Sequence, residues 1–374
     1  MECIFMDSIV DEALSQTHEK KAGEEGAVMP DGNQELSTDD KELREVLSDL
    51  KTDIKIVGVG GAGCNTVERI SEEGVQGAEL VAANTDAQHL LKVHSQRKVL
   101  LGKRKTRGLG AGALPQVGKE ATEEAREKLK NILDDSDMVF ITCGLGGGTG
   151  TGGAPVVAEI AKDVGALTVA ICTTPFEAEG QSRMDNAEWG LTRLKKVTDT
   201  VITIPNDKLL ELCPRLSLNK AFKVADEVLS RSIKGITELV TKPGLVNLDF
   251  NDVKTVMEGA GVAMIGMGED DSEKRAELAI EEAIDSPLLE VDISTANAAL
   301  INVVGGNDMT VAEAEKAAKT VESKIGQDAR IIWGASIDQS LDNKIKVMVV
   351  ITGVKSKQIF GKEVSAKEEI ESVA

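Results

Sequence analysis

Aromatic and basic residues are both scarce in this 374-residue chain. Tyrosine is absent, and Phe, Trp and Tyr together make up only 2% of the residues. Proteins that bind single-stranded nucleic acid stack bases on aromatic side chains, so the chain has few means of building such a surface. The 63 Asp and Glu against 43 Lys and Arg give a formal net charge of −20, which repels nucleic acids and anionic membranes at long range. We therefore expect no nucleic-acid partner.

The sequence also lacks the motifs of metal centres, secretion and membrane spans. Its five cysteines include no C-x-x-C pair and its three histidines no H-E-x-x-H, so we expect no structural zinc and interpret the cysteines as reduced core thiols. The first residues carry acids where a signal peptide needs bases, and no run of 18 apolar residues could span a bilayer. These features favour a cytoplasmic protein without direct membrane insertion.

Charge and composition divide the chain into four parts. Residues 1–50 carry fourteen Asp and Glu against four Lys and Arg, which predicts an acidic, flexible arm with a short helix. Residues 51–241 and 242–354 are predicted to form two α/β domains, because their length and patterning suit two hydrophobic cores. Residues 355–374 are predicted to be a short charged tail.

Apolar, β-branched runs alternate with helical patterns over residues 54–204, which predicts a doubly wound parallel sheet with helices on both faces. A long helix is predicted from Leu218 to Thr241, and the shorter elements after it predict a smaller mixed α/β domain. The predicted strands are Ile54–Val59, Leu80–Ala83, Val99–Leu101, Met138–Cys143, Leu167–Thr173, Val201–Ile204, Val262–Met267, Ala298–Val304, Arg330–Trp333 and Lys344–Thr352. The other predicted helices include Thr66–Glu73, Val117–Leu133, Ala154–Asp163, Arg183–Val197, Glu273–Ile284 and Thr310–Lys324.

A first glycine-rich loop, Gly58–Gly63, matches G-x-G-x-x-G after the first strand and opens a helix at about Asn65. Its glycines let the backbone approach a phosphate at a helix N-terminus. Alone, this loop is compatible with an NAD-dependent oxidoreductase. The second strand, however, is followed by Asn84 first, where a dinucleotide fold places an acid that holds a ribose hydroxyl.

A second loop, Gly144–Gly153, gives the stronger signal because seven of its ten residues are glycine and two are threonine. Such a loop can wrap backbone N–H groups and hydroxyls around a phosphate chain. It contains no lysine, which excludes the ordinary P-loop NTPase motif. A third loop, Gly108–Pro115, follows the third strand. Because parallel strands end at one edge of a sheet, the three loops predict a single phosphate site there.

These motifs together resemble the tubulin/FtsZ family. Segment Gly146–Gly152 is similar to the signature loop of the family, and further FtsZ-like segments occur in the family order over residues 54–353: Asn84–Asp86, Gly108–Pro115, Thr174–Gly180, Ile204–Lys208 and Asn247–Asp252. The resemblance implies a GTP-binding domain over residues 51–241 that includes a long central helix. It also implies that the second domain, 242–354, carries the catalytic loop at its start and that the bound nucleotide is GTP or GDP.

The resemblance also implies which residues bind the nucleotide. The loop from Gly60 to Asn65 would lie against the phosphates, Gly148–Gly150 would wrap the β- and γ-phosphates, and Ala111 and Gly112 would lie near the γ-phosphate. Glu179 and Arg183 would reach the ribose region. The complete predicted set is Gly60, Gly61, Ala62, Gly63, Cys64, Asn65, Asn84, Asp86, Ala111, Gly112, Gly147, Gly148, Thr149, Gly150, Thr151, Glu179, Arg183, Phe222 and Asp226.

Phe222 and Asp226 are implied to meet the base from the long helix. They are four residues apart and therefore share one helical face. An aromatic ring can stack on a purine. A carboxylate can accept hydrogen bonds from guanine N1–H and N2–H together, whereas adenine has no N1–H to donate.

Asn247, Asp249 and Asp252 match the catalytic loop of the family. Acids at this spacing can orient and polarise a water for attack on a γ-phosphate. The helix from Asp226 to Thr241 would separate base and acids by roughly 22 Å. If that helix points away from the phosphates, the acids must act on the GTP of a neighbouring copy. A head-to-tail contact of this kind generates a filament unless it closes into a ring.

The sequence therefore predicts a GTP-hydrolysing, filament-forming protein of cell division whose GTPase site is completed between subunits. Mg²⁺ is expected with the nucleotide, without a dedicated protein site. The expected partners are further copies of the chain and division-machinery proteins that include an unidentified membrane tether, and the expected location is the division site. The alternative is a non-polymerising nucleotide-binding regulator of the same superfamily, which would use the acids only structurally.

Overall fold

The computed structural model describes residues 52–212, 217–242, 244–285, 293–326 and 329–354. The predicted acidic arm 1–50 and the predicted tail 355–374 lie outside these residues. Within the described ranges the strands are β1 (Ile54–Val59), β2 (Ala78–Asn84), β3 (Arg97–Leu100), β4 (Met138–Gly144), β5 (Leu167–Thr174), β6 (Thr200–Pro205), β7 (Gly261–Asp270), β8 (Ala298–Gly305), β9 (Arg330–Ile337) and β10 (Ile345–Thr352). The helices are α1 (Gly60–Glu73), α2 (Ala87–Lys92), α3 (Pro115–Glu124), α4 (Arg126–Leu133), α5 (Thr149–Asp163), α6 (Gln181–Val197), α7 (Asn206–Leu212), α8 (Leu218–Thr241), α9 (Phe250–Met257), α10 (Arg275–Ile284) and α11 (Val311–Lys324).

The ten strands form one sheet in the order β3-β2-β1-β4-β5-β6-β7-β10-β8-β9. Strands β1 to β6 pair in parallel, and every residue of β1 is buried, as expected for strands covered on both faces. Two separate clusters of buried apolar side chains fill the spaces on the two sides of the sheet. The structure therefore confirms the predicted doubly wound parallel sheet.

The long helix α8 runs from Leu218 to Thr241, as predicted, and packs against α1. The second unit follows it, with β10 antiparallel to both β7 and β8. Strand β7 joins it to the first unit through a short parallel ladder that starts at Thr200 and Gly261. The sheet is thus continuous across both units, and the predicted domain boundary at 241/242 stays a prediction.

Three predicted helices differ from the structure by more than two residues at a limit. One of them, predicted at Ala154–Asp163, begins at Thr149 inside the second glycine loop. Helix α1 begins at Gly60 rather than near Asn65, because the close contact of Gly58 with Gly63 lets the chain turn directly from β1 into the helix. The predicted helix Val117–Leu133 is two helices, because the backbone leaves the helical conformation at Ala125 (φ −99°, ψ 5°). Among the described residues no helix is both long and apolar enough to cross a membrane.

Candidate nucleotide-binding site

A cavity of about 320 Å³ lies at the carboxyl ends of the parallel strands. The strand order reverses between β1 and β4, and open α/β sheets bind ligands at this kind of switch point. The loops that follow β1 to β5, the first residue of α7 and one face of α8 all contribute to the wall. The residues of the predicted set that line it are Gly61, Ala62, Asn84, Asp86, Ala111, Gly112, Gly147, Gly148, Thr149, Gly150, Glu179, Arg183, Phe222 and Asp226.

Two helix N-termini face one end of the cavity. Helix α1 starts at Gly60 and helix α5 at Thr149, and neither has a side-chain cap or an acid in its first turn. The first backbone N–H groups of a helix have no partner within it, and the helix dipole makes this end positive. Since no side chain of either cap position satisfies these groups, this end of the cavity suits a chain of phosphates.

The phosphate end requires glycine because backbones touch each other there. Gly60 has a φ of +78°, and a Cβ on it would lie 2.8 Å from the backbone N of Gly150. A Cβ on Gly148 would lie 2.4 Å from the carbonyl oxygen of Gly112, to which the Gly148 N–H donates at 2.9 Å. The three glycine loops therefore form one packed unit, as the sequence predicted from their places after parallel strands.

Threonine hydroxyls and one amide fix the shape of this unit. The Oγ1 atoms of Thr85 and Thr149 are 2.6 Å apart. The buried Oγ1 of Thr151 accepts a hydrogen bond from the Gly146 N–H at 2.8 Å. Thr151 therefore holds the second loop in place and does not line the cavity. Asn186 Nδ2 donates to the carbonyls of Ala113 and Gly146 and thereby ties the second loop to the third.

Glu179 and Arg183 form the rim. The Arg183 guanidinium donates to Glu179 Oε2 at 2.6 Å, while Glu179 Oε1 accepts from the Phe176 N–H at 3.0 Å. Glu179 is thus held by backbone and positions the half-exposed arginine at the mouth of the cavity. An arginine in this place supplies a cation and planar donors for ribose or phosphate oxygens.

The other end of the cavity has the features of a base slot. Phe222 is 37% exposed, and its ring meets the buried ring of Phe176 edge to face at 5.1 Å. Burial raises the pKa of the Asp226 carboxyl to about 7, against the opposing effect of Arg69. Asn206 is buried and lines the same cavity, and its Oδ1 has no hydrogen-bond partner. A buried polar atom without a partner at a cavity wall is where a ligand donor fits.

His89 connects two asparagines beside the cavity. The Asp86 N–H donates to Asn84 Oδ1 at 3.2 Å, which leaves Asn84 Nδ2 to donate to His89 Nδ1 at 3.0 Å. Nδ1 must then be unprotonated, so the proton is on Nε2, which donates to Asn65 Oδ1 at 2.9 Å. The backbone N–H of Asp86 thus sets the orientation of the Asn84, His89 and Asn65 side chains.

Four other residues of the predicted set also do not line the cavity. Gly60 and Gly63 make close backbone contacts, and Asn65 is exposed beside His89. Burial raises the pKa of the Cys64 thiol to about 12, which makes it a core group, as the sequence predicted for the cysteines. Contacts of these residues with a nucleotide remain predictions.

Asn247, Asp249 and Asp252 also do not line the cavity. They follow the end of α8 that lies away from Phe222 and Asp226. Asp249 is the N-cap of α9 and accepts from the Asp252 N–H at 2.9 Å, while Asp252 accepts from the Asp249 N–H at 3.2 Å. Both acids therefore have a structural role as a capping box.

Sequence reasoning missed nine residues of the wall, of which Asn206 and His89 matter most. Asn206 is in the quoted segment Ile204–Lys208, but the segment gave no sign of which residue faces the ligand. His89 is in no motif, and only the pairing of Asn84 with it shows its role. The nine residues are Thr85, His89, Gly110, Gly144, Leu145, Thr173, Pro175, Asn206 and Ala225.

Three glycine loops without a P-loop lysine, at a cavity whose other end carries a phenylalanine and a carboxylate, are features of the tubulin-like nucleotide-binding class. Comparisons with known families agree. Residues 53–214 match the family described as "Tubulin/FtsZ family, GTPase domain", and residues 261–355 match "FtsZ family, C-terminal domain". The chain belongs to the tubulin/FtsZ family and, within it, to FtsZ.

The relatives cover the chain almost completely. "Cell division protein FtsZ 1" of Archaeoglobus fulgidus is 56% identical over 361 residues, which are 96% of each chain. "Cell division protein FtsZ" of Haloferax mediterranei is 56% identical over 367 residues, or 97% of each chain. A solved empty FtsZ dimer of M. jannaschii is 54% identical, covers 88% of this chain and 99% of its own, and has a TM-score of 0.82.

Proposed function

We propose that the chain is a GTP-hydrolysing, filament-forming protein of cell division in which each GTPase site is completed between head-to-tail subunits. The GTPase-domain match and the names of the relatives support the activity and the process. The solved M. jannaschii dimer supports self-association. The observation that carries the head-to-tail part is that the nucleotide cavity and the acids Asp249 and Asp252 lie toward opposite ends of α8.

The phosphates would lie on the N-termini of α1 and α5, where uncapped N–H groups and the helix dipoles stabilise negative charge. Preorganised donors of this kind also stabilise the charge that develops on a transferring phosphoryl group. Loop 110–112 is hydrogen-bonded to Gly148, so a contact of its N–H groups with the γ-phosphate would be transmitted to the phosphate loop.

The base would stack on Phe222 and place its N1–H and N2–H groups on the Asp226 carboxylate. Asn206 would complete recognition, because its buried Oδ1 has no partner within the described residues and can accept a hydrogen bond from the guanine amino group. The ionised carboxylate then discriminates against adenine, which lacks the N1–H donor.

Asp249 and Asp252 of one copy would orient the attacking water on the γ-phosphate of the next copy. Asp249 is exposed, and its second oxygen is not needed for the cap bond to Asp252. A monomer would therefore bind GTP but hydrolyse it slowly, because positioning of the water supplies much of the catalysis in phosphoryl transfer.

Mg²⁺ would be bound mainly by the phosphates. Among the described residues no group of three or more His, Cys, Asp or Glu side chains could hold a metal ion by itself. Mg²⁺ commonly binds through one or two protein oxygens plus phosphate oxygens and waters, and a cavity of this kind fits that mode. When bound, the ion would neutralise charge on the β- and γ-phosphates.

The proposal is tested by measuring GTP turnover per molecule as a function of protein concentration, together with light scattering after GTP addition with and without Mg²⁺. Turnover that rises with concentration, and scattering that requires GTP, are expected. Turnover per molecule that is constant over a hundredfold dilution, without GTP-dependent scattering, would instead support the non-polymerising regulator. In cells, a fluorescent fusion is expected at the division site.

A further inference from the structure

A strongly basic segment interrupts this acidic chain. Residues 92–130 contain eleven Lys and Arg against four Glu, although the whole chain has a net charge of −20. Six of the eleven residues from Arg97 to Arg107 are basic and none is acidic. Such a concentration of one sign needs a physical reason, because like charges packed together destabilise the folded state.

The structure brings these cations to one edge of the sheet. Strand β3 is the edge strand, and the loop after it is fixed because the N–H groups of Arg104 and Lys105 donate to the Glu124 carboxylate. Thr106 is buried and bonds to Gly102, which turns its neighbours outward. We call this surface the basic edge and define it as Arg97, Lys98, Lys103, Arg104, Lys105, Arg107, Lys119, Lys128 and Lys130, all of which are exposed.

Only part of this positive charge is neutralised within the described residues. Arg97 pairs with Glu79, and Lys105 pairs with Glu120. The side chains of Lys103, Arg104 and Arg107 have no ion pair or hydrogen bond with any other residue that the structure describes. The basic edge is therefore a preformed surface with room for further anions.

The negative charge of the whole chain favours an anion that belongs to the same chain over a free one. A free polyanion or an anionic bilayer must approach a molecule of charge −20, and the field of the basic edge is screened over about 8–10 Å. A polyanion that is part of the same chain avoids this barrier, because its effective concentration at the surface is already in the millimolar range. Residues 1–50 are such a polyanion, with fourteen Asp and Glu against four Lys and Arg.

Residues 1–50 are long enough to reach the basic edge. Residue 52 is two residues before β1, and β3 lies two strands away from β1 in the sheet, or about 10 Å at normal strand spacing. The loop 102–107 lies at the far end of these strands, roughly 20 Å along a six-residue strand. Fifty residues would span about 75 Å even if every one were helical.

We propose that the acidic segment 1–50 docks in cis on the basic edge. Its carboxylates pair with Lys103, Arg104 and Arg107, whose guanidinium and ammonium groups offer donors for charge-assisted hydrogen bonds. The docked segment lies beside loop 110–112, because Arg107 is followed within five residues by Gly112 of the cavity wall.

The experiment is zero-length carbodiimide cross-linking of the full-length protein at low concentration, followed by peptide mass spectrometry. We expect links from acids of residues 1–50 to Lys103 and Lys105 within one molecule. Their yield should fall at least about fivefold in 0.5 M salt, where the Debye length is only a few ångströms. The yield of the Lys105 links should fall as much in the triple variant Lys103→Glu, Arg104→Glu, Arg107→Glu, which keeps the Lys105 amine but removes three cations beside it.

The matched control is Lys196→Glu, Lys274→Glu, Arg330→Glu, which reverses three exposed cations outside the basic edge and should leave the links unchanged. Equal amounts of ¹⁴N- and ¹⁵N-labelled protein distinguish links within a molecule from links between molecules. Mixed-isotope links, links that ignore both salt and the triple variant, or preferential binding of the basic edge to anionic vesicles in the presence of residues 1–50 would each overturn the proposal. None of these measurements uses GTP. A negative result would therefore overturn the docking proposal without bearing on the proposed function.

Discussion

Asp226 combines two properties that conflict in the nucleotide-free protein. Its burial raises the pKa of the carboxyl to about 7, yet the ionised form is the one that accepts guanine N1–H and N2–H. In the proposed mode of binding, guanine would draw the proton off this carboxyl, and the cost of ionising it would depend on pH. The proposed base recognition and its pH sensitivity would thus both depend on this half-buried group.

Affinity for GTP should fall as the pH falls below 7. Since only ionised Asp226 binds the base well, the dissociation constant should rise about tenfold between pH 8 and pH 6, given a pKa near 7. Titration calorimetry at several pH values measures this change. An affinity that does not change over this range would mean that Asp226 does not contact the base.

The variant Asp226→Asn provides the matched control. Its amide can accept from N1–H but presents N–H groups to the guanine amino group, so GTP binding should weaken by at least about tenfold. Xanthine has a carbonyl oxygen in that place, so the variant should prefer XTP. Its residual affinity for GTP should no longer change near pH 7.

His89 is expected to act through the two asparagines that it connects. His89→Ala should weaken nucleotide binding by about five- to tenfold, because Asn84 and Asn65 each lose a fixed hydrogen bond. His89→Gln should keep most of the affinity, since one amide can accept from Asn84 and donate to Asn65 as the imidazole does. Fluorescence competition with a labelled GDP measures both variants. An equal loss of nucleotide affinity in His89→Ala and His89→Gln would contradict this role of His89 as a link between Asn84 and Asn65.

At the scale of elements, the phosphate loop depends on how closely α3 approaches α5. A Cβ on Gly118 of α3 would lie 2.1 Å from the carbonyl oxygen of Gly148. Gly118→Ala should therefore destabilise the protein by about 1–3 kcal/mol through overpacking, although alanine is the better helix former. Thermal unfolding without nucleotide measures the loss.

Gly61→Ala is the matched control, because Gly61 is also helical and a Cβ there meets nothing within 4 Å. It should be neutral or stabilising by up to about 1 kcal/mol, as expected for Gly to Ala in a helix. Equal melting temperatures for the two variants would mean that α3 and α5 can move apart without cost.

The capping box of α9 decides how the acids should be tested. Asp249→Ala would remove a helix cap that is worth about 1 kcal/mol as well as a carboxylate, so lost activity would have two explanations. Asp249→Asn keeps a good capping side chain and removes the charge. We expect it to melt like the wild type and bind GTP normally, while its turnover falls by about 10²-fold or more. Unchanged turnover would leave Asp249 with the capping role alone.

The fold could be predicted from the sequence because its strands are fully buried and therefore read as continuous apolar runs, as in Ile54–Val59. The site could be predicted where glycine clusters and the family resemblance marked it. The start of α1 could not be predicted, because glycine has low helix propensity and the turn from β1 into the helix depends on the positive φ of Gly60 and its contact with Gly150. The roles of Asn206 and His89 could not be predicted from the sequence, because they depend on contacts between separate elements of the fold.

The whole molecule has two functional ends joined by one continuous sheet and by α8. The nucleotide cavity is at the carboxyl ends of β1 to β6, and the acids Asp249 and Asp252 follow the far end of α8. Such a molecule has different surfaces at its two ends, so a contact between them would be heterologous and would repeat along a filament unless it closed into a ring. In the proposed function, catalysis is a property of this contact rather than of the single subunit.

The most direct test of this account is complementation between two inactive variants. Asp249→Asn keeps the nucleotide site, and Asp226→Asn keeps the acids. At a GTP concentration well below the raised dissociation constant of Asp226→Asn, neither variant hydrolyses GTP efficiently alone. In an equimolar mixture about a quarter of random head-to-tail contacts would join an intact nucleotide site to intact acids, and GTP turnover should recover to about that fraction of wild type. A mixture whose turnover is only the mean of the two variants would contradict the shared site.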